Sequence, residues 1–201
     1  MPPTELRRGL WRWSAPHPDW HENAVAGSPA DWPREVGCAL YETSDAAVFI
    51  DPLAPAGEAP TFWRWADLRC AEKAVHVLTT LGFHRRSRDA FVERYGAITT
   101  RARRSLPTGV ESLPLRGAGE TMFWLSEPRA LVPGDRIIGS DDGRLSLCPQ
   151  SWLDYLPSRI TVSGLRALMA PLLELPIEAV LVSHGEPVLT GGKEALARAL
   201  A

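Results

Sequence analysis

Apolar positions in this chain fall in short runs separated by turn-forming clusters, and few are regular enough for a long helix. Segments 36–41 and 46–50 read as two strands joined by the turn-forming Thr43-Ser44-Asp45. The second stops at Asp51-Pro52, where proline removes a ladder donor. Residues 61–72 mix tryptophan, arginine and small side chains and predict a helix, followed by a β-branched strand at 74–79. A short helix over 88–95 ends at Gly96. Strands at 98–103, 110–115, 121–125 and 130–132 follow at the spacing of an antiparallel meander. Segments 136–138 and 145–148 flank Ser140-Asp141-Asp142-Gly143, a hairpin turn. Ser163 reads as the cap of a helix that places Leu165, Leu168, Met169, Leu172 and Leu173 on one face, and Pro171 should kink or split it. A strand at 179–183 runs into His184-Gly185, and a last helix covers 194–200. Segments 14–34 and 51–60 are the loop-rich parts.

This order predicts helices on the outer faces of two sheets packed face to face, an α/β four-layer αββα sandwich with mixed sheets. A length of 201 residues fits a single domain over 1–201, with the Trp-rich segment 1–34 packing on it. A charged fraction of 23% beside 45% hydrophobic residues fits a folded globular chain. The net charge of -2 gives no general attraction to nucleic acid or an anionic membrane, so neither is expected as a partner. No apolar run is long enough to span a bilayer. The N-terminus lacks the apolar core of a secretory signal. Cys38, Cys70 and Cys148 have no paired spacing, which points to a reducing cytoplasm rather than a disulfide framework. Twenty of the 22 basic residues are arginine, a composition of GC-rich bacterial genomes.

The candidate chemistry centres on 74–87, where a β-branched strand ends in a loop holding one metal-type ligand, His84, followed by Arg85 and Arg86. The chain resembles the metallo-β-lactamase superfamily. The resemblance is carried in order by Phe49-Ile50-Asp51-Pro52, Val77-Leu78-Thr79, Phe123-Trp124-Leu125-Ser126-Glu127, Leu131-Val132-Pro133-Gly134-Asp135 and Val180-Leu181-Val182-Ser183-His184-Gly185. It implies that Asp135 matches the metal-bridging carboxylate, His184 the last histidine ligand, and Asp51 a supporting carboxylate. His84 falls on the aspartate of the ligand loop and Arg85 on the histidine after it.

Thr80 and Gly82 stand where the first two loop histidines belong, and Gly117-Ala118-Gly119-Glu120 replaces the middle histidine. A degenerate metal centre is therefore expected, with ordinary dinuclear hydrolysis lost. The first expectation is a cleft that binds a small anionic ligand, with Arg85, Arg86 and Trp63 as walls. The alternative is a mononuclear hydrolase of an ester, thioester or lactone. It would use one Zn, Fe or Mn on His84, Asp135 and His184, with Asp135 and Glu120 as candidate catalytic groups and Glu120 as base.

Seven arginines (85, 86, 88, 94, 101, 103, 104) face only Asp89 and Glu93 between positions 84 and 104, which marks either a solvated surface or an anion-binding face. Eight tryptophans suit core packing, a pocket wall or a homo-oligomer contact. His17 and His21 fall in a Pro-containing loop and His76 within a strand, and none is assigned to the site. Nucleophile-elbow, phosphate-loop and dinucleotide-binding motifs are absent from the sequence.

Overall fold

The computed structural model describes residues 2–100, 106–140 and 142–201. A six-stranded sheet has the order β1 (Thr4–Arg7), β2 (Leu10–Pro16), β3 (Glu35–Glu42), β4 (Ala46–Ile50), β5 (Ala74–Leu78), β6 (Ile98–Thr100). Helix α1 (Ala59–Cys70) lies between β4 and β5, and α2 (Arg88–Tyr95) between β5 and β6. The second sheet has the order β12-β9-β8-β7, from β7 (Val110–Leu115), β8 (Glu120–Leu125), β9 (Ala130–Val132) and β12 (Ala179–Val180). β10 (Ile137–Gly139) and β11 (Leu145–Leu147) form a hairpin. Helices α3 (Val162–Met169) and α4 (Gly192–Leu200) complete the fold.

The period-two alternation of the strands sorts side chains into three cores. In β3 and β4, Val36, Cys38, Leu40, Ala47 and Phe49 pack with Phe62, Ala66 and Phe91 of α1 and α2. The intervening Ala39, Tyr41, Val48 and Ile50 meet Phe123, Leu125, Val132 and Leu181 between the sheets. Met122, Trp124, Leu131 and Val180 face Leu165, Met169 and Leu196 of α3 and α4. Two outer cores and one inter-sheet core make the αββα sandwich.

Several local expectations shift. The segment before residue 35, read largely as loop, contributes β1 and β2, with Leu10 opposite Tyr41 and Trp13 opposite Cys38. Strand β6 is not part of a meander: it pairs parallel with β5, His76 opposite Ile98, and only β7-β8-β9 runs antiparallel. The rest of the strand expected at 98–103 lies outside the described residues, as do Arg101, Arg103 and Arg104. Thr161, not Ser163, caps α3, its Oγ1 accepting the Gly164 N–H at 3.1 Å. The expected break at Pro171 is present, α3 giving way to a 3₁₀ turn at Ala170–Glu174. Among the described residues, no helix is long and apolar enough to cross a membrane.

Candidate metal centre

Four chain segments converge where strands end. β4 and β5 run parallel in one sheet, and β9 and β12 run parallel in the other. The segments after their C-terminal ends carry Asp51, His84, Asp135 and His184 in that order. Placement beyond the carboxyl ends of parallel strands leaves backbone groups free for turns and side chains free to meet.

Asp51 is 2% exposed and adopts φ +48°, a left-handed conformation that an aspartate tolerates better than most residues. Its Oδ1 accepts the Thr80 N–H at 2.8 Å, and its Oδ2 takes the Thr80 hydroxyl and His84 Nδ1, the latter at 2.8 Å. With Nδ1–H held by a carboxylate, the neutral ring of His84 carries its lone pair on Nε2, facing away from Asp51. Nε2 of His84 is 3.0 Å from Asp135 Oδ1, and Nε2 of His184 is 3.2 Å from the same oxygen. All three donor atoms lie within 4.8 Å of one another.

The three residues fit one metal ion. Bonds of about 2.0 Å to a tetrahedral ion put neighbouring ligand atoms about 3.3 Å apart, close to the 3.0 and 3.2 Å observed. Asp135 Oδ1 is buried and has no partner in hydrogen-bonding geometry although both imidazole nitrogens are that near. Both imidazoles thus pair with Asp135 as charges, and the same three atoms are spaced to converge on an ion. Burial alone would lower the His84 pKa, but the Asp135 and Asp51 carboxylates raise it to about 9. Burial would likewise raise Asp135, but His84 and His184 hold its carboxyl well below the ordinary range.

Among the described residues, no second cluster of three metal-type ligands adjoins this group. Gly82 has no side chain and Thr80 Oγ1 is committed to Asp51. Glu120 is buried, its Oε1 accepting the Gly134 N–H at 3.0 Å and its Oε2 the N–H groups of Asp135 and Arg136 at 2.8 and 3.0 Å. This saturated carboxylate fixes the turn that presents Asp135 and is poorly placed to act as the base expected from sequence. Burial and the charge of Asp135 push it up to about 7, against the pull of Arg136 and these N–H groups. Gly134 is required there, because a Cβ would come within 2.3 Å of Leu81.

A cavity of about 500 Å³ opens over the site, with His84, Asp135, His184 and Arg86 in its wall. The His184 ring sits between Trp32 and Trp152, at centroid distances of 5.8 and 5.4 Å. Arg86 donates from Nη1 to the carbonyls of Gly37 and Asp51 at 2.9 and 2.8 Å, ties that hold it at φ +39°. Arg85 does not line this cavity; it borders a second one on the other side of the loop. Trp63 is also remote from the cleft: it packs on Phe62, Phe91 and Tyr95 in the outer helical layer, where its aromatic surface is already used. Sequence reasoning missed His17, which lines the cavity against Trp32 at 5.1 Å. A Pro-rich loop gives no periodic signal that would place it there.

This is the metallo-β-lactamase fold, in a divergent sequence. The metallo-β-lactamase of Hirschia baltica is 13% identical with a TM-score of 0.61, over 100% of this chain and 98% of that one. The metallo-β-lactamase of Erythrobacter litoralis, with β-mercaptoethanol in its active site, is 15% identical with a TM-score of 0.60, over 98% and 93%. FIM-1 from Pseudomonas aeruginosa, in its mono-zinc form, is 13% identical with a TM-score of 0.61, over 100% and 95%. No family model and no curated protein matches the sequence.

Proposed function

We propose that this chain is a single-metal hydrolase of a small ester, thioester or lactone. One divalent ion would be held by His84, Asp135 and His184, and the second position of a dinuclear centre is lost. The reading is carried by the unpartnered Asp135 Oδ1 facing two imidazole Nε2 atoms at ligand–ligand separations, with Asp51 fixing the tautomer of one of them. The mono-zinc form of FIM-1, a protein of the same fold, is consistent with this reading. Bound there, the ion supplies a Lewis acid for attack on a carbonyl.

The chain's own groups do the rest. Asp51 keeps the Nε2 lone pair of His84 directed at the site, and Glu120 holds the turn that aims Asp135. Arg86 brings a fixed positive charge to the cavity wall, suited to the anionic end of a substrate. His17 Nδ1 accepts the Asp19 N–H at 3.2 Å, so the ring proton is on Nε2. Burial and the charge of Arg86 lower its pKa, which keeps it neutral and able to donate a hydrogen bond at neutral pH.

The second reading is a cleft that binds a small anion without turnover. It is favoured by Arg86, whose permanent charge shares the cavity with the candidate ligands. The two readings separate in hydrolysis of p-nitrophenyl and thioester substrates by zinc-loaded protein. The hydrolase reading expects turnover that falls about 100-fold or more in Asp135→Asn. Equal rates in the loaded, chelated and variant proteins would leave only the binding reading.

A further inference from the structure

The loop between β5 and α2 sends consecutive arginines to opposite sides. Arg86 borders the metal-site cavity, while Arg85 borders a larger cavity of about 850 Å³. That second cavity lies between the sheets beside β5 and β6 on one side and β7 and β8 on the other, and Arg88 joins Arg85 in its wall. Among the described residues no acidic side chain lines it. The Arg85 guanidinium has no hydrogen bond or ion pair among the described residues. Among the described residues, the Arg88 guanidinium meets only Asp89, at 3.1 Å, whose side chain is 85% exposed. Exposed Arg85 and half-buried Arg88 on one wall, with no acidic side chain of the described lining to neutralise them, suit the head of an anion.

The remaining wall is of two kinds. Thr79, Ser112 and Thr121 offer hydroxyls, and Leu106 and Pro114, with the threonine methyls, offer apolar surface. The volume far exceeds that of a bare inorganic ion, and the apolar surface gives a small ion nothing to bury. We infer that this second cavity binds an amphipathic anion, with a carboxylate or phosphate head on Arg85 and Arg88 and a short apolar tail along Leu106 and Pro114. Of the arginine excess read from sequence as either a solvated surface or an anion-binding face, Arg85 and Arg88 then have a definite use. The inference is independent of metal binding, since neither arginine borders the cavity over the metal centre. The two sites nevertheless share Thr80, which lines the second cavity and hydrogen-bonds to Asp51 beside His84.

The test is isothermal titration of the full chain with decanoate and decyl phosphate below their micellar range. Decanol and inorganic phosphate serve as tail-only and head-only probes. The inference expects both amphiphiles to bind, or at least the one with the matching head, and neither control to bind comparably. The double variant Arg85→Gln/Arg88→Gln should weaken binding about tenfold or more, and Arg86→Gln by less than about twofold. Arg85→Gln alone, which disturbs no partner in the fold, should cost about threefold or more and covers failure of the double variant to fold. Unchanged affinity in the Arg85 variants, equal loss in Arg86→Gln, or inorganic phosphate binding as tightly as the amphiphiles overturns the inference. The relative affinity of the two amphiphiles identifies the head group.

Discussion

At Asp51 a single buried carboxylate takes the backbone N–H and hydroxyl of Thr80 and the Nδ1–H of His84, so one side chain closes the loop and orients the ligand. His84 then lies between two carboxylates, Asp51 on Nδ1 and Asp135 beside Nε2. In metal-free protein this arrangement favours the doubly protonated ring and raises its pKa from 6.5 to about 9. A histidine whose folded pKa is raised stabilises the fold fully below its unfolded value and loses that contribution as pH rises through the folded one. Glu120, raised from 4.5 to about 7, loses its contribution earlier, between those values. The interval from about pH 7 to 9 therefore belongs mainly to His84. Urea unfolding of chelator-treated protein should show stability falling by up to about 3 kcal/mol across it. A flat or rising stability there contradicts the geometry at His84.

At the scale of elements, the site depends on loops held to within a van der Waals contact of their neighbours. Gly139 N–H donates to the His184 carbonyl at 2.9 Å, which ties β10 to the turn carrying that histidine. Gly185, at φ +81°, lies so close that a Cβ would come within 1.9 Å of the Gly139 carbonyl oxygen. Gly185→Ala should therefore cost about 3 kcal/mol or more and displace His184, read as a lower thermal midpoint together with weakened metal binding. A variant as stable as the parent would show that this contact is not tight.

The same elements show what the sequence made legible. Strands β3, β4, β5, β8 and β9 stood out because they are apolar and β-branched or aromatic, bounded by turns. Strand β2 did not, because its inward positions include Arg12, whose Nη2 donates to the carbonyls of Val182 and Gly185. A polar side chain bonded across the sandwich hides the alternation that marks a strand. Parallel pairing of β6 with β5 was equally hidden, since it joins segments separated by α2. Asp135 and His184 were legible from short motifs around them. The saturation of Glu120 by three N–H groups, and the opposite directions of Arg85 and Arg86, depend on how loops fold against each other and leave no local signal.

For the whole molecule, the metallo-β-lactamase fold explains why residues as distant as 51, 84, 135 and 184 meet: each follows a strand whose C-terminal end reaches the same rim of the sandwich. The inter-sheet core of Val48, Ile50, Phe123 and Leu181 locks the two halves in the register that sets the spacing of these residues. The central claim is that this rim holds one metal ion, on three side chains. It is tested most directly by elemental analysis of the full chain after reconstitution with zinc, iron or manganese and removal of free metal. One of these metals should be retained at about one equivalent per chain, and His184→Ala should lose nearly all of it while remaining folded. No metal in the parent, two equivalents, or a full equivalent kept by the variant would contradict the account.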